Sequence, residues 1–223
     1  MNKKLLFNAL FKFVLAVLFT AFLTFLPAGT FNYWNGKLFM IILLVPMFKV
    51  GIVLMIRNPE LLKKRLNNKE EQKEQGVVIK LSVVLFSVGF ISAGLSFRFG
   101  WCLVPDIVSW IAAVIFLFGY LLYTEVLREN AYLSRTVEIQ ENQKVVDTGV
   151  YGIVRHPMYS STILLFLSMP LVLGSFISFV IFLFYPFILV KRIRNEEKVL
   201  EEGLKGYKDY KKKVKYKVIP YIW

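Results

Sequence analysis

Six apolar stretches, set apart by charged or aromatic segments, decide what this chain can become. They run from about Leu5 to Leu26, Leu38 to Ile56, Val77 to Phe97, Val104 to Leu127, Met158 to Leu173 and Phe176 to Val190. An α-helix rises about 1.5 Å per residue, so about twenty apolar residues match a hydrocarbon core about 30 Å thick. Backbone in lipid must satisfy its own hydrogen bonds, which a helix does and a lone strand does not. The expectation is an all-α membrane protein with about six transmembrane helices. Composition agrees, because 57% hydrophobic residues, 21 of them Phe, exceed what one soluble core of 223 residues would hide.

Each stretch carries its own qualifiers. The first starts after a short basic segment, as a signal peptide does, but it is too long for a signal core and reads as a retained span. Its Lys12 must snorkel or face protein. Tyr33 and Trp34 suit an interfacial belt. Pro46 predicts a kink in the second span, and Lys49 lies at depth. Ser87, Gly89, Ala93 and Gly94 allow close helix approach in the third. Glu125 and Arg128 end the fourth near head-group level. Pro170 interrupts the fifth, Gly174-Ser175 turns the chain, and the sixth reads as one helix continuing to Glu202. The last two spans then form a helical hairpin. Between spans two and three, Asn58-Pro59-Glu60 is a helix start. Leu61, Leu62 and Leu66 share a face opposite charges, which reads as an interfacial helix or, alternatively, as a solvated linker.

Charge sets the orientation. The net charge is +13. With both ends on one side, that side holds 23 Lys and Arg while the other holds Lys37 and Arg98. This positive-inside asymmetry places both termini in the cytoplasm and turns the basic charge toward lipid head groups rather than nucleic acid. The basic tail from Lys205 to Lys217, with Tyr207, Tyr210 and Tyr216 between its lysines, reads as an interfacial anchor. Cys102 is the sole cysteine and His156 the sole histidine, which excludes a disulfide and argues against a metal site. The sequence has no internal repeat, P-loop or GxGxxG.

Two polar clusters stand out at the ends of the last spans. One runs from Gln143 to Tyr159 and gathers Arg155, His156 and Tyr159 around Pro157. It follows a polar loop from Glu129 to Thr148, long enough beside a membrane to expect a task. The other is Lys191-Arg192-Ile193-Arg194-Asn195-Glu196-Glu197, where Arg192 and Glu196 share a helix face. The bland readings are a helix-start histidine bonded to backbone and a surface ion pair. The functional reading is a site where carboxylates and an arginine meet a zwitterion. The chain divides accordingly into residues 1–128, four spans of scaffold, and 129–223, the region with chemistry.

These residues carry a resemblance. Gly149-x-Tyr151-x-x-x-Arg155-His156-Pro157-x-Tyr159, a hairpin, Arg192-x-x-x-Glu196-Glu197, Tyr207-x-x-Tyr210 and Ile219-Pro220 together resemble the isoprenylcysteine carboxyl methyltransferase family. Phospholipid methyltransferases share much of the pattern, and the likeness covers about Glu138 to Trp223. It implies S-adenosylmethionine held between the loop and the hairpin. By the resemblance, Gln143, Lys144, Val145, Val146, Tyr151, His156, Pro157, Met158, Tyr159 and Glu196 bind the cofactor. Arg192 is the catalytic and substrate-binding residue, facing the carboxylate of a lipophilic or prenylated acceptor. A further cofactor contact falls near Glu138 or Gln140, and Gln143 stands where eukaryotic members have histidine. Two other functions are expected to compete. One is an amine N-methyltransferase acting on phospholipid, where Glu197 would matter as a base. The other is a nicotinamide-dependent membrane reductase, since sterol reductases resemble the hairpin.

Overall fold

A computed structural model describes residues 3–67, 73–134 and 136–223. Among the described residues the regular structure is helical, with no strand beyond an isolated bridge between Leu103 and Ser175. The helices are α1 (Lys3–Ala28), α2 (Trp34–Arg57), α3 (Pro59–Leu66), α4 (Lys73–Phe99), α5 (Asp106–Glu129), α6 (Pro157–Val172), α7 (Phe176–Phe182), α8 (Tyr185–Gly203) and α9 (Tyr207–Lys213). Gly149–Gly152 adds one 3-10 turn.

Among the described residues, five helices are long and apolar enough to cross a membrane: α1, α2, α4, α5 and the α7–α8 unit. The expected fifth span, α6, has 16 residues, about 24 Å at the helical rise and short of a hydrocarbon core. Protein, rather than length, accommodates it. The last carbonyls of a helix lack partners within it. Here they accept from other helices: Leu171 from Ser109 Oγ at 2.8 Å, Val172 from Asn35 Nδ2 at 3.0 Å, and Leu173 from the Tyr33 hydroxyl. Tyr33 is therefore a core residue, fully buried and stacked on Phe97, and not part of an interfacial belt. Its hydroxyl has work to do inside.

The sixth span continues as expected from Phe176 to Gly203, with an irregular turn at Leu183-Phe184 between α7 and α8, where both residues keep right-handed helical backbone. Pro186 follows this turn at the start of α8, where its missing N–H costs nothing. The predicted small residues do allow close approach. A Cβ on Gly89 would sit 2.2 Å from Phe182, and one on Gly94 would meet Pro27 and Ala28. Gly119 likewise lets α5 approach α6, with a Cβ there 3.0 Å from Leu164 and 3.2 Å from Leu165. Around Phe182 the rings of Phe86, Phe166 and Tyr185 pack edge to face.

The linker after α2 is a helix, as one of the two readings held. Asn58 Oδ1 accepts from the Leu61 N–H at 3.1 Å, capping α3 above Pro59. Leu61 and Leu62 are buried. Lys12 faces protein: its ammonium donates to the Leu66 carbonyl at the far end of α3. Thus α3 is fixed at both ends beside the 129–156 loop.

Candidate active site

The start of α6 is stitched to the C-terminal segment. The N–H groups of Arg155 and His156 donate to the carbonyls of Tyr216 and Lys217 at 2.9 and 2.8 Å. Arg155 Nη1 donates to Val214 and Lys215 carbonyls at 2.7 and 2.8 Å, and its Nε to Glu197 Oε1 at 2.8 Å. Lys217 and Lys211 approach the other oxygen of Glu197 at 3.4 and 3.8 Å, and His156 Nε2 lies 3.3 Å from Oε1. Glu197 is buried in this cluster, seven residues beyond Val190, where the apolar run of the sixth stretch ends. Burial alone would raise its pKa. Hydrogen bonds from His156 and Arg155, with their charges, outweigh burial and hold it down at about 2.

Glu196, the next residue, points elsewhere. Its Oε2 accepts from the Tyr159 hydroxyl, which in turn accepts from Arg192 Nε at 2.8 Å. Arg192 and Glu196 thus meet through a buried phenol rather than as a surface pair. Arg192 Nη1 also donates to Gln75 Oε1 at 3.2 Å, reaching the start of α4.

The third wall comes from the loop and α9. Asn130 Nδ2 donates to the Tyr151 hydroxyl at 2.9 Å, and the Tyr210 hydroxyl to the Tyr151 carbonyl at 2.8 Å. Tyr207 and Tyr210 bury their rings with Leu204 and Val214 against Ile139, Val145 and Leu200. They are walls of the site, which corrects the reading of the tail as an interfacial anchor. Glycines admit the loop. A Cβ on Gly203 would strike Ile139, and Gly149, at φ +51°, lies against Glu129, whose Oε2 accepts from the Val150 N–H at 3.0 Å.

These parts line a cleft that opens to solvent, about 880 Å³ with its mouth included. Gln143, Lys144, Val145, Val146, Tyr151, His156, Met158, Tyr159, Arg192 and Glu196 all line it. Pro157 does not. It occupies the first turn of α6 and sets the backbone between two lining neighbours. Glu138 lines the cleft, whereas Gln140 is spent on structure: its Nε2 donates to the Tyr132 carbonyl and its Oε1 accepts from Lys64. Gln143 Oε1 likewise accepts from the Gln140 N–H at 2.9 Å.

Sequence reasoning missed Tyr207 and Gln75. The Tyr207 hydroxyl is buried, lines the cleft and has no hydrogen-bond partner among the described residues. Burial pushes its pKa well up, and the charges of Glu197 and Glu196 add to this, so it remains a donor. The spacing Tyr207-x-x-Tyr210 was a signal, but the lysines around it suggested an interfacial anchor. Gln75 Nε2 is also buried without a partner among the described residues, and nothing local in the sequence marks it.

A second depression continues from the first. It is a groove of about 1110 Å³, mouth included, walled by Val78, Ile79, Phe86, Phe166, Ile188 and Leu189. Thr136, Met158, Tyr159 and Arg192 belong to both depressions.

Two comparisons bear on this geometry. The mouse (Mus musculus) protein Delta(14)-sterol reductase TM7SF2 is 29% identical over 91 residues, 40% of this chain. The chain spans 22% of that relative's length. Residues 110–202 match the isoprenylcysteine carboxyl methyltransferase (ICMT) family. The match begins inside α5, upstream of Glu138, and ends at 202, before Tyr207-x-x-Tyr210. It takes in the loop, His156, Arg192 and Glu196, so the part of this chain that is similar to the isoprenylcysteine carboxyl methyltransferase family includes these site residues.

Proposed function

We propose that this protein is an integral membrane methyltransferase that uses S-adenosylmethionine to O-methylate the carboxylate of an isoprenylcysteine-like lipophilic acceptor. The observation that carries the reading is the junction of the two depressions at Arg192. A chamber with carboxylates in its wall opens there into an apolar groove. Such a junction suits a water-soluble zwitterion on one side and a lipid on the other.

The residues present fit the cofactor. Glu196 and Glu138 offer acceptors for an ammonium or ribose hydroxyls, Leu133, Val145, Val146 and Leu200 offer apolar surface for a base, and the Tyr207 hydroxyl awaits an acceptor. When bound, S-adenosylmethionine supplies an electrophilic methyl group. Arg192 holds the acceptor carboxylate, already an anion at neutral pH, so the protein need not supply a base. Tyr159 fixes the Arg192 guanidinium and the Glu196 carboxylate on one phenol oxygen. The chain then contributes proximity and orientation. By the charge asymmetry, the chamber and both termini face the cytoplasm.

The similarity to a sterol reductase favours one second reading, a nicotinamide-dependent reductase. An amine N-methyltransferase with Glu197 as base is disfavoured, since that carboxylate is committed to Arg155, His156 and two lysines. Binding of S-adenosylhomocysteine and NADPH to protein in detergent separates the first two. Radiolabelled methyl transfer to prenylcysteine and aminolipid acceptors tests the third. Labelled product that releases its methyl in base, as an ester does, supports the proposal. NADPH binding without S-adenosylhomocysteine binding overturns it.

A further inference from the structure

Arg65 projects from α3 into the same neighbourhood and has no part in the scheme above. Its Nη2 donates to the Tyr123 hydroxyl at 2.6 Å, its Nη1 to the Ser134 carbonyl at 3.1 Å, and Nη1 also lies 3.9 Å from Met158 Sδ. All three partners are neutral, and among the described residues no carboxylate pairs with it. A guanidinium has five N–H donors, and two oxygens occupy two of them. The side chain is half-buried and lines the apolar groove together with Arg192. Met158, which touches Arg65, and Tyr159, which holds Arg192, are consecutive on α6. The two arginines therefore flank the start of α6 at the head of one groove. A cation withdrawn from water beside apolar walls is costly until an anion joins it.

Its placement is rigid. The Asn58 cap fixes the start of α3, the Lys12 ammonium holds its end, and Lys64 donates to the Ala131 carbonyl at 3.4 Å. The guanidinium plane is held by the tyrosine hydroxyl and the ring of Tyr123, 5.7 Å from its centroid. Such pre-organisation leaves the remaining donors aimed rather than searching.

We propose that Arg65 and Arg192 together form an anion site at the head of the groove, and that Arg65 selects acidic lipids, carboxylate-bearing amphiphiles, over neutral ones. The inference rests on the groove being the acceptor's place, as in the proposed function. It does not depend on methyl transfer, and binding alone tests it. The probes are an S-farnesylated cysteine with a free carboxylate and its carboxamide, titrated into the full chain in detergent. The wild type prefers the acid about tenfold or more, as a charge-assisted hydrogen bond provides. R65Q reduces that preference at least fivefold while S-adenosylhomocysteine affinity stays within twofold. R65K retains part of the preference. A merely structural Arg65 would weaken acid and amide alike and leave their ratio intact. An unchanged ratio in R65Q, or no acid preference in the wild type, overturns the proposal. If R65Q does not fold, R65K decides: a ratio reduced threefold or more supports the site, and an unchanged one overturns it. Failure of the methyltransferase reading would show separately, as absent S-adenosylhomocysteine binding or absent label transfer.

Discussion

Replacing Glu197 with Gln tests whether this carboxylate holds the fold or performs chemistry. Glu197 is 4% exposed and faces Arg155, His156, Lys211 and Lys217. Gln keeps the shape but leaves Arg155 without its counter-ion, and breaking one partner of a buried pair costs about 3–5 kcal/mol. Titration gives a second estimate. The carboxyl falls from its ordinary 4.5 to about 2 in the folded protein. At about 1.36 kcal/mol per unit this corresponds to roughly 3 kcal/mol. The sign follows from the direction. A depressed pKa stabilises the fold above the unfolded value, and the gain is lost as pH falls from about 4.5 through 2. Thermal unfolding in detergent at pH 7 should therefore drop for E197Q by roughly 6–12 °C on a scale of about 2–4 °C per kcal/mol. The gap between wild type and E197Q should narrow between pH 4.5 and 3, where the wild type loses what the variant never had. An E197Q protein that melts within about 2 °C of wild type at pH 7, or a gap that does not narrow in acid, refutes the hub role.

Three further substitutions probe other links. Y207F removes a hydroxyl without a partner among the described residues, so stability should hold while S-adenosylhomocysteine affinity falls about fivefold to tenfold by calorimetry, the weight of one hydrogen bond. R192K keeps charge but loses the planar fork; single-turnover methyl transfer at saturating cofactor should slow at least tenfold, about 1.4 kcal/mol, and a rate within twofold would defeat the carboxylate clamp. G89A places a Cβ 2.2 Å from the fully buried Phe182 and should cost about 1–3 kcal/mol by overpacking, whereas G51A, with nothing within 4 Å, should be neutral or slightly stabilising in the same melting assay.

How much of this was legible depends on range. The apolar runs gave α1, α2, α4 and α5 nearly to their ends, because each crossing is decided by its own residues. Asn58-Pro59 gave α3 for the same reason. The irregular turn at Leu183-Phe184 was not foreseen although Pro186 was visible, since apolar composition alone does not report local helix geometry. Tyr33 was misplaced because its role depends on the Leu173 carbonyl, 140 residues away. Of the expected site, Gln143, Tyr151, His156, Tyr159 and Glu196 do line one cleft. Tyr207 was seen only as part of the basic tail, while Gln75, which bonds Arg192, and Arg65, which lines the adjoining groove, sit on elements whose local pattern is ordinary.

The two adjacent carboxylates show why residue type and spacing stop short of a role. On a helix consecutive side chains diverge by about 100°. Glu197 consequently turns to the Arg155 side and becomes the counter-ion that ties α6 to the C-terminal segment. Glu196 turns to the cleft and shares the Tyr159 hydroxyl with Arg192. The motif Arg192-x-x-x-Glu196-Glu197 thus encodes one group for the proposed acceptor, one for the proposed cofactor and one for the frame that aligns them. Arg192 and Glu196 are separated by one turn and joined by one phenol, so any shift of α8 against α6 moves both together. Precision at the site then rests on the buried Glu197 cluster, which holds that pair of helices in register from the other side.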